Sequence, residues 1–153
     1  MTVTFQLAQK DDLAVLLPFM QALFESDNPP TNQPFDEPTA RQAVLDLLKK
    51  PDFGRVWLIM SDGQPAGYVV LTIGYSLEYQ GHDAFIDELF LTEPYRGQGI
   101  GQQAIVLVEE TCRELGVNAL HLEVERPNLR AQMLYRRVGF EDHDRYLMTK
   151  WLK

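Results

Sequence analysis

The chain has 153 residues, of which 14 are basic and 22 acidic, for a formal charge of −8. That length suits one compact α/β domain with a real core and is too short for two ordinary ones. The acidic balance argues against a general nucleic-acid surface, and no apolar run approaches the ~20 residues of a membrane span. Met1-Thr2-Val3-Thr4-Phe5 lacks the basic region and apolar run of a signal peptide, so the expected location is the cytoplasm.

Taken in chain order, Val3–Leu7 reads as a first strand, and Asp11-Asp12 opens a helix whose apolar periodicity runs over Leu13–Phe24. Ser26 to Pro38 is polar and proline-rich, a loop by turn chemistry. A second helix is expected from about Glu37 to Leu48, with Ala43, Val44, Leu47 and Leu48 on one face. Val56–Met60 and Gly67–Tyr75 read as strands joined at Ser61-Asp62-Gly63-Gln64, a hairpin signal. Ala84–Leu91 is a third long strand. Gly99–Leu115 is a long helix ended by Gly116, and Ala119–Val124 is another strand. Asn128 is a good N-cap for a helix reaching about Arg137 and ended by Gly139, and Tyr146–Leu152 alternates like a final strand. There are no repeats, low-complexity stretches or linkers. A single domain over 1–153 is expected, with a mixed central sheet covered on both faces.

Cys112 is the only cysteine. It lies on the stripe Ala104, Ile105, Val108, Cys112, Leu115 and reads as a buried, inert thiol. His82, His121 and His143 are far apart, no metal-ligand spacing occurs, and no metal is expected. Within its strand, His121 reads as a structural hydrogen-bonder.

The informative stretch is Leu89-Phe90-Leu91-Thr92-Glu93-Pro94-Tyr95-Arg96-Gly97-Gln98-Gly99-Ile100-Gly101. An apolar strand runs into a proline-marked turn, an arginine, three glycines and then the long helix. Glycines there let amide N–H groups converge at a helix N-terminus, where the dipole also favours an anion. A pyrophosphate-containing ligand is the first inference. Gln102 and Gln103 follow Gly101 where a P-loop needs Lys and Ser or Thr, and a Rossmann third glycine would fall at Gln102. What remains is Arg-x-x-Gly-x-Gly, with Arg96, Gly99 and Gly101 at the marked positions. Downstream, Asn128-Leu129-Arg130-Ala131-Gln132-Met133-Leu134-Tyr135-Arg136-Arg137-Val138-Gly139-Phe140 follows a strand.

Together these two blocks resemble the GNAT superfamily of acetyl-CoA-dependent N-acyltransferases, the second through its pattern Asn-x-x-Ala-x-x-Leu-Tyr-x-x-x-Gly-Phe. The resemblance extends over essentially the whole chain, in the first half only as a pattern of elements. Phe85 to Arg96 and Tyr75-Ser76 look most like the diamine and thialysine acetyltransferase branch. The fold it implies is α/β, with a mixed, mostly antiparallel central sheet flanked by helices on both faces. The cosubstrate it implies is acetyl-CoA, its pantetheine arm lying along the third strand near Leu89 and Leu91. Its binding set is then Leu89, Phe90, Leu91, Arg96, Gly97, Gln98, Gly99, Ile100, Gly101, Gln102, Asn128 and Arg130. Asn128 serves equally well as a helix cap. Arg126, Arg130, Arg136 and Arg137 near the CoA phosphates compete with a plain reading as solvated helix charges.

Acetyl transfer to an amine requires a held thioester, a deprotonated amine, a stabilised oxyanion and a protonated leaving thiolate. A main-chain N–H near Leu89 would face the acetyl oxygen, and one such donor is worth about 3 kcal/mol in the transition state. A lysine-like amine, with a pKa near ~10.4, cannot attack until it loses a proton. Asp87 and Glu88 lie beside the acetyl site, on opposite faces by strand alternation. Asp87 matches by position the carboxylate the family often places there and is slightly preferred over Glu88. Glu88 reaches further and can act through water, and either also suits an ordinary salt bridge. Tyr135, matched through Leu134-Tyr135 and Gly139-Phe140, is the proposed general acid. Glu25, Asp27, Asp36 and Glu37, with Glu78 near Tyr75 and Tyr79, would suit a cationic acceptor.

The expectation is therefore an enzyme that acetylates a small cationic primary amine, a polyamine or lysine-like compound, by direct attack in a ternary complex. A peptide N-terminus or protein lysine is the alternative acceptor, and a non-catalytic CoA-binding module the alternative class. No nucleic acid or membrane partner is expected. If the protein assembles, a homodimer is the expected form.

Overall fold

The computed structural model describes residues 1–27 and 33–153. Part of the loop expected over Ser26–Pro38 therefore lies outside the described residues. The chain divides into two compact units, Met1–Glu123 and Val124–Lys153.

The first unit is built on a five-stranded sheet, β1 (Val3–Leu7), β2 (Gly54–Ser61), β3 (Gln64–Ser76), β4 (Gly81–Leu91) and β5 (Ala119–His121), paired in that order. The first three pairings are antiparallel and β4–β5 is parallel. The hairpin expected at Ser61-Asp62-Gly63-Gln64 is present. Asp62 (φ 47°) and Gly63 (φ 77°) are both left-handed, the two-residue turn whose twist matches the flanking strands.

Alternation sends successive side chains to opposite faces, and both faces are covered. On one, Val56, Leu58, Tyr68, Val70 and Phe90 pack with Leu16 of α1 (Leu13–Ser26). Leu47 and Leu48 of α2 (Glu37–Leu48) close over the same cluster. Trp57, Ile59, Val69 and Leu71 occupy the alternate positions and are also buried. The long helix α3 (Ile100–Glu114) contributes Ile100, Ala104, Ile105, Val108 and Cys112 as its buried stripe. Leu115, expected to extend that stripe, is instead the C-cap and 38% exposed, because the helix unwinds there into left-handed Gly116.

Sequence pattern and structure part company at two strands. The strand expected over Ala119–Val124 ends at His121, since its pairing with β4 ends at Phe85–His121. Just beyond, β4 carries a bulge: Val70 pairs with Glu88 and Leu71 with Ile86, leaving Asp87 as the extra residue. A bulge bends its strand and increases the twist, which draws β4 away from its parallel neighbour. In the second unit, Tyr146–Leu152 forms no strand. Tyr146, Leu147, Met148, Trp151 and Leu152 are all more than 60% exposed. Alternation marks a segment suited to a sheet, but a strand persists only where its N–H and C=O groups meet a partner, and no ladder among the described residues includes this segment.

Candidate active site

The glycine loop follows directly from the end of β4. Glu93–Tyr95 makes a single 3-10 turn after Thr92. Arg96 Nε donates to Leu91 O at 2.8 Å, and the Gln98 amide to Pro94 O at 2.7 Å, which locks the loop to the strand it leaves. Gly97 (φ 73°) and Gly99 (φ 80°) take left-handed conformations that other residues adopt only with strain. Gly99 is the N-cap of α3, and Gln103 N–H donates back to Gly99 O at 3.2 Å. The amides of Ile100, Gly101 and Gln102 precede that ladder and are free to meet an anion. A Cβ at Gly99 would meet nothing within 4 Å, and one at Gly101 only Leu91 Cδ1, at 4.0 Å. The space over these amides is therefore open. A cavity of about 400 Å³ lies between Phe5 and the flank of α3 formed by Gln102, Gln103, Val106, Leu107 and Glu110. It touches the loop at Gly99 and is lined by neither Asp87 nor Glu88.

The open edge of β4 lies between this loop and β5. Thr92 N–H donates to Ala66 O at 2.9 Å, which fixes the phase of the β3–β4 ladder. Main-chain groups alternate in an antiparallel pair, so Phe90 and Glu88 direct theirs to β3 while Leu89 and Leu91 direct theirs to the other edge. The Arg96 contact to Leu91 O agrees with this phase. Since β5 pairs only as far as Phe85, the Leu89 amide faces an edge that no strand among the described residues covers. This is the splay in which an extended arm can add main-chain hydrogen bonds.

Two carboxylates, Asp87 and Glu88, directly precede that amide in the strand. The bulge changes how they are arranged: simple alternation no longer separates Asp87 from Glu88. Glu88 is half-buried and accepts a hydrogen bond from the Tyr68 hydroxyl at 3.1 Å. Burial pushes the Glu88 carboxyl up to about 7, with negative Asp87 and Asp27 adding to the rise and the Tyr68 hydrogen bond opposing it. Asp87 is solvent-exposed as a residue, yet the protein crowding its carboxyl disfavours the charge and raises its pKa. Tyr68 is fully buried beside Phe90, ring centroids 6.1 Å apart, and burial above all, then the neighbouring Glu88 charge, raises its pKa. It remains a neutral donor across the working range. Sequence reading missed Tyr68. Its signal was an aromatic residue with a hydroxyl in the otherwise aliphatic run Tyr68-Val69-Val70-Leu71, where a buried phenol needs a partner.

The acidic residues expected to recognise a cation divide. Asp36 is the N-cap of α2, accepting from Thr39 N–H at 3.0 Å, and the Thr39 hydrogen bonds hold its carboxyl below the usual range. Glu37 pairs with Arg41 at 2.6 Å, and Glu25 accepts from the Gln21 amide at 3.0 Å. These three serve their own helices. Asp27, by contrast, is close enough to influence both Glu88 and Tyr68.

In the second unit, Asn128 caps α4 (Leu129–Arg137), its Oδ1 accepting from Ala131 N–H at 3.2 Å. Tyr135 is half-buried and meets Phe140 edge-on at 6.0 Å, the chain returning through Gly139 (φ 106°). Arg136 grips Asp142 with two hydrogen bonds, at 2.9 and 2.7 Å, and the Arg126 guanidinium lies 5.8 Å from the Tyr146 ring centre. Arg130 is exposed on the helix.

Cys112 is buried, and burial pushes its thiol up to about 11, leaving little thiolate for chemistry. His121, expected as a structural hydrogen-bonder, makes no hydrogen bond at Nε2: that atom is 3.2 Å from Asp83 Oδ2 without the needed alignment, and the ring packs against Tyr79 and Phe85. Among the described residues no cluster of His, Cys, Asp or Glu could hold a metal, and no helix is long and apolar enough to cross a membrane.

A strand that loses its partner beside a glycine-capped helix is the framework of an acyl-CoA-dependent transferase, and relatives agree. The family model described as the acetyltransferase (GNAT) family matches residues 19–140. An uncharacterized N-acetyltransferase of Bacillus subtilis (strain 168), YycN, is 36% identical over 115 residues, covering 72% of each chain. The thialysine N-epsilon-acetyltransferase of Bos taurus is 33% identical over 91 residues, and the match spans 56% of this chain but only 52% of that enzyme. A solved structure of an integron cassette protein from the Cole Harbour salt marsh metagenome superposes with a TM-score of 0.83 at 34% identity, over 97% of this chain and 90% of that one. The chain belongs to the GNAT family of acetyltransferases.

Proposed function

We propose that the protein transfers acetyl from acetyl-CoA to a small cationic primary amine by direct attack in a ternary complex. The observation that carries this reading is Glu88: a half-buried carboxyl with a pKa near 7, next to a backbone amide on the uncovered edge of β4. The glycine loop holds the CoA pyrophosphate through the amides at the start of α3, and the pantetheine arm takes the edge of β4. Asn128 and Arg130 belong to the cosubstrate side by their place in the family motif.

The ionised Glu88 accepts a proton from the bound ammonium, and the freed amine attacks the thioester carbonyl carbon. As the carbon becomes tetrahedral, the electron pair moved to oxygen is met by the Leu89 N–H. Collapse expels the CoA thiolate, which takes a proton from Tyr135. Glu88 is favoured over Asp87 because its carboxyl is the more buried and balances between its two forms at neutral pH, where a base works best. Asp87 then acts as a second negative charge that keeps Glu88 basic.

The thialysine enzyme's name supports an amine carried on a side chain as acceptor, and Asp27, Asp87 and Glu88 supply charge complementary to a cation. Measuring thiol release from acetyl-CoA over a panel of amines tests this. Diamines and lysine-like amino acids are expected to be consumed at least about tenfold faster than equally nucleophilic anionic amines, a preference that added salt narrows. Equal use of anionic and cationic amines would refute the cationic acceptor.

A further inference from the structure

The geometry points to Tyr68 as the positioning residue for the base: its buried hydroxyl holds Glu88 Oε1, so that Oε2 is the atom presented to the amine. This rests on the reading of Glu88 as the proton acceptor. The two side chains come from adjacent strands, with the Tyr68 hydroxyl 3.1 Å from Glu88 Oε1. Tyr68 pairs across the ladder with Phe90, and Glu88 with Val70, so the contact is a diagonal one, reaching along the same face of the sheet. Phe90 lies between the Tyr68 ring and Phe19 of α1, at 6.1 and 5.8 Å, which leaves the phenol little freedom to turn away.

Three other groups bear on Glu88. Asp87 on the bulge and Asp27 at the end of α1 are negative and oppose its ionisation, whereas Tyr68 alone favours it. The phenol has a proton to give and, being fully buried, keeps it. Toward the ionised carboxylate it acts as the donor seen here, and this charge-assisted bond favours the carboxylate over the acid. Tyr68 thus fixes the base in place and offsets part of the upward pressure from burial and the two aspartates. Without it, Glu88 would be protonated over much of the neutral range.

The test is the pH profile of kcat/KM for Tyr68→Phe, a change that keeps the ring and removes the hydroxyl. A charge-assisted hydrogen bond of ordinary strength is worth about one pKa unit or more. The acid limb of the profile should then move up by that amount. Relative to the unmodified enzyme, Y68F should be about tenfold slower at pH 6 and within about twofold above pH 9, where Glu88 is ionised in both. The amine's own titration cancels in this ratio. Its melting curve with and without acetyl-CoA shows whether the fold is kept, and Tyr68→Leu gives a second replacement that carries no donor. A uniform loss of rate at every pH, or an unmoved limb, in a folded Y68F or Y68L protein overturns the assignment while leaving Glu88 as the base. Full activity in Glu88→Gln would instead remove the base itself, and Y68F added to E88Q should shift nothing further.

Discussion

Glu88→Gln should lower turnover at pH 7 by about 10² to 10⁴-fold, the scale of general-base assistance to a reaction that cannot begin until the amine is neutral. The substitution keeps the shape of the side chain and an oxygen for Tyr68 but removes the atom that takes the proton. Affinity for acetyl-CoA should change little, because the proposed cosubstrate contacts are main-chain groups. In the unmodified enzyme, the carboxyl pushed up to about 7 must be deprotonated to act. Activity should therefore rise through neutral pH, and E88Q should lose this limb, retaining only the dependence set by the amine. Asp87→Asn should behave differently. Removing its charge relieves Glu88 and lets it ionise at lower pH, so the limb moves down while turnover on the plateau is largely kept. A larger rate loss in D87N than in E88Q would exchange their roles.

The second large effect is expected from Tyr135→Phe. The ring packs edge-on against Phe140, and phenylalanine preserves that contact. The hydroxyl is lost, and with it the phenolic proton. A phenol near ~10 is suited to protonate a thiolate whose acid has a pKa near ~8.5, so turnover should fall by about 10²-fold or more as the leaving group departs unassisted. Steady-state kinetics with a melting curve distinguish the possibilities. A loss of kcat with stability and acetyl-CoA affinity intact marks the general acid, and full activity reduces Tyr135 to a packing residue.

What could be read from the residues, and what could not, follows from the range of the interactions involved. The glycine loop, the α3 stripe, the Asp62-Gly63 turn and the inert Cys112 depend on neighbours within a few positions. Periodicity and turn chemistry report such features directly. The bulge at Asp87 does not, since an extra residue in a ladder exists only relative to the partner strand, and nothing in Phe85-Ile86-Asp87-Glu88 announces it. Alternation therefore placed Asp87 and Glu88 too simply. The Tyr68–Glu88 contact spans 20 positions and depends on the β3–β4 register. Two acids expected to recognise substrate, Asp36 and Glu37, were legible as helix-start residues as well, and the cap and the Arg41 pair make that local role the one observed. The C-terminal pattern failed because alternation describes a segment's suitability for a sheet and says nothing of a partner for it.

Cosubstrate binding at the glycine loop underlies every proposed step, and the melting temperature with and without acetyl-CoA tests it most directly. At 100 times the dissociation constant, acetyl-CoA should add about 2.7 kcal/mol of stability, with NAD and ATP adding far less. Gly101→Val is the sharpest control. Gly101 does not require a left-handed backbone, and a Cβ there meets only Leu91 Cδ1 at ordinary contact distance, so the variant should fold. On the proposed reading its side chain would crowd the amides that receive the pyrophosphate. The account predicts a clear acetyl-CoA shift in the unmodified protein and none in folded G101V. An equal shift in both proteins, or no shift in either, would contradict it.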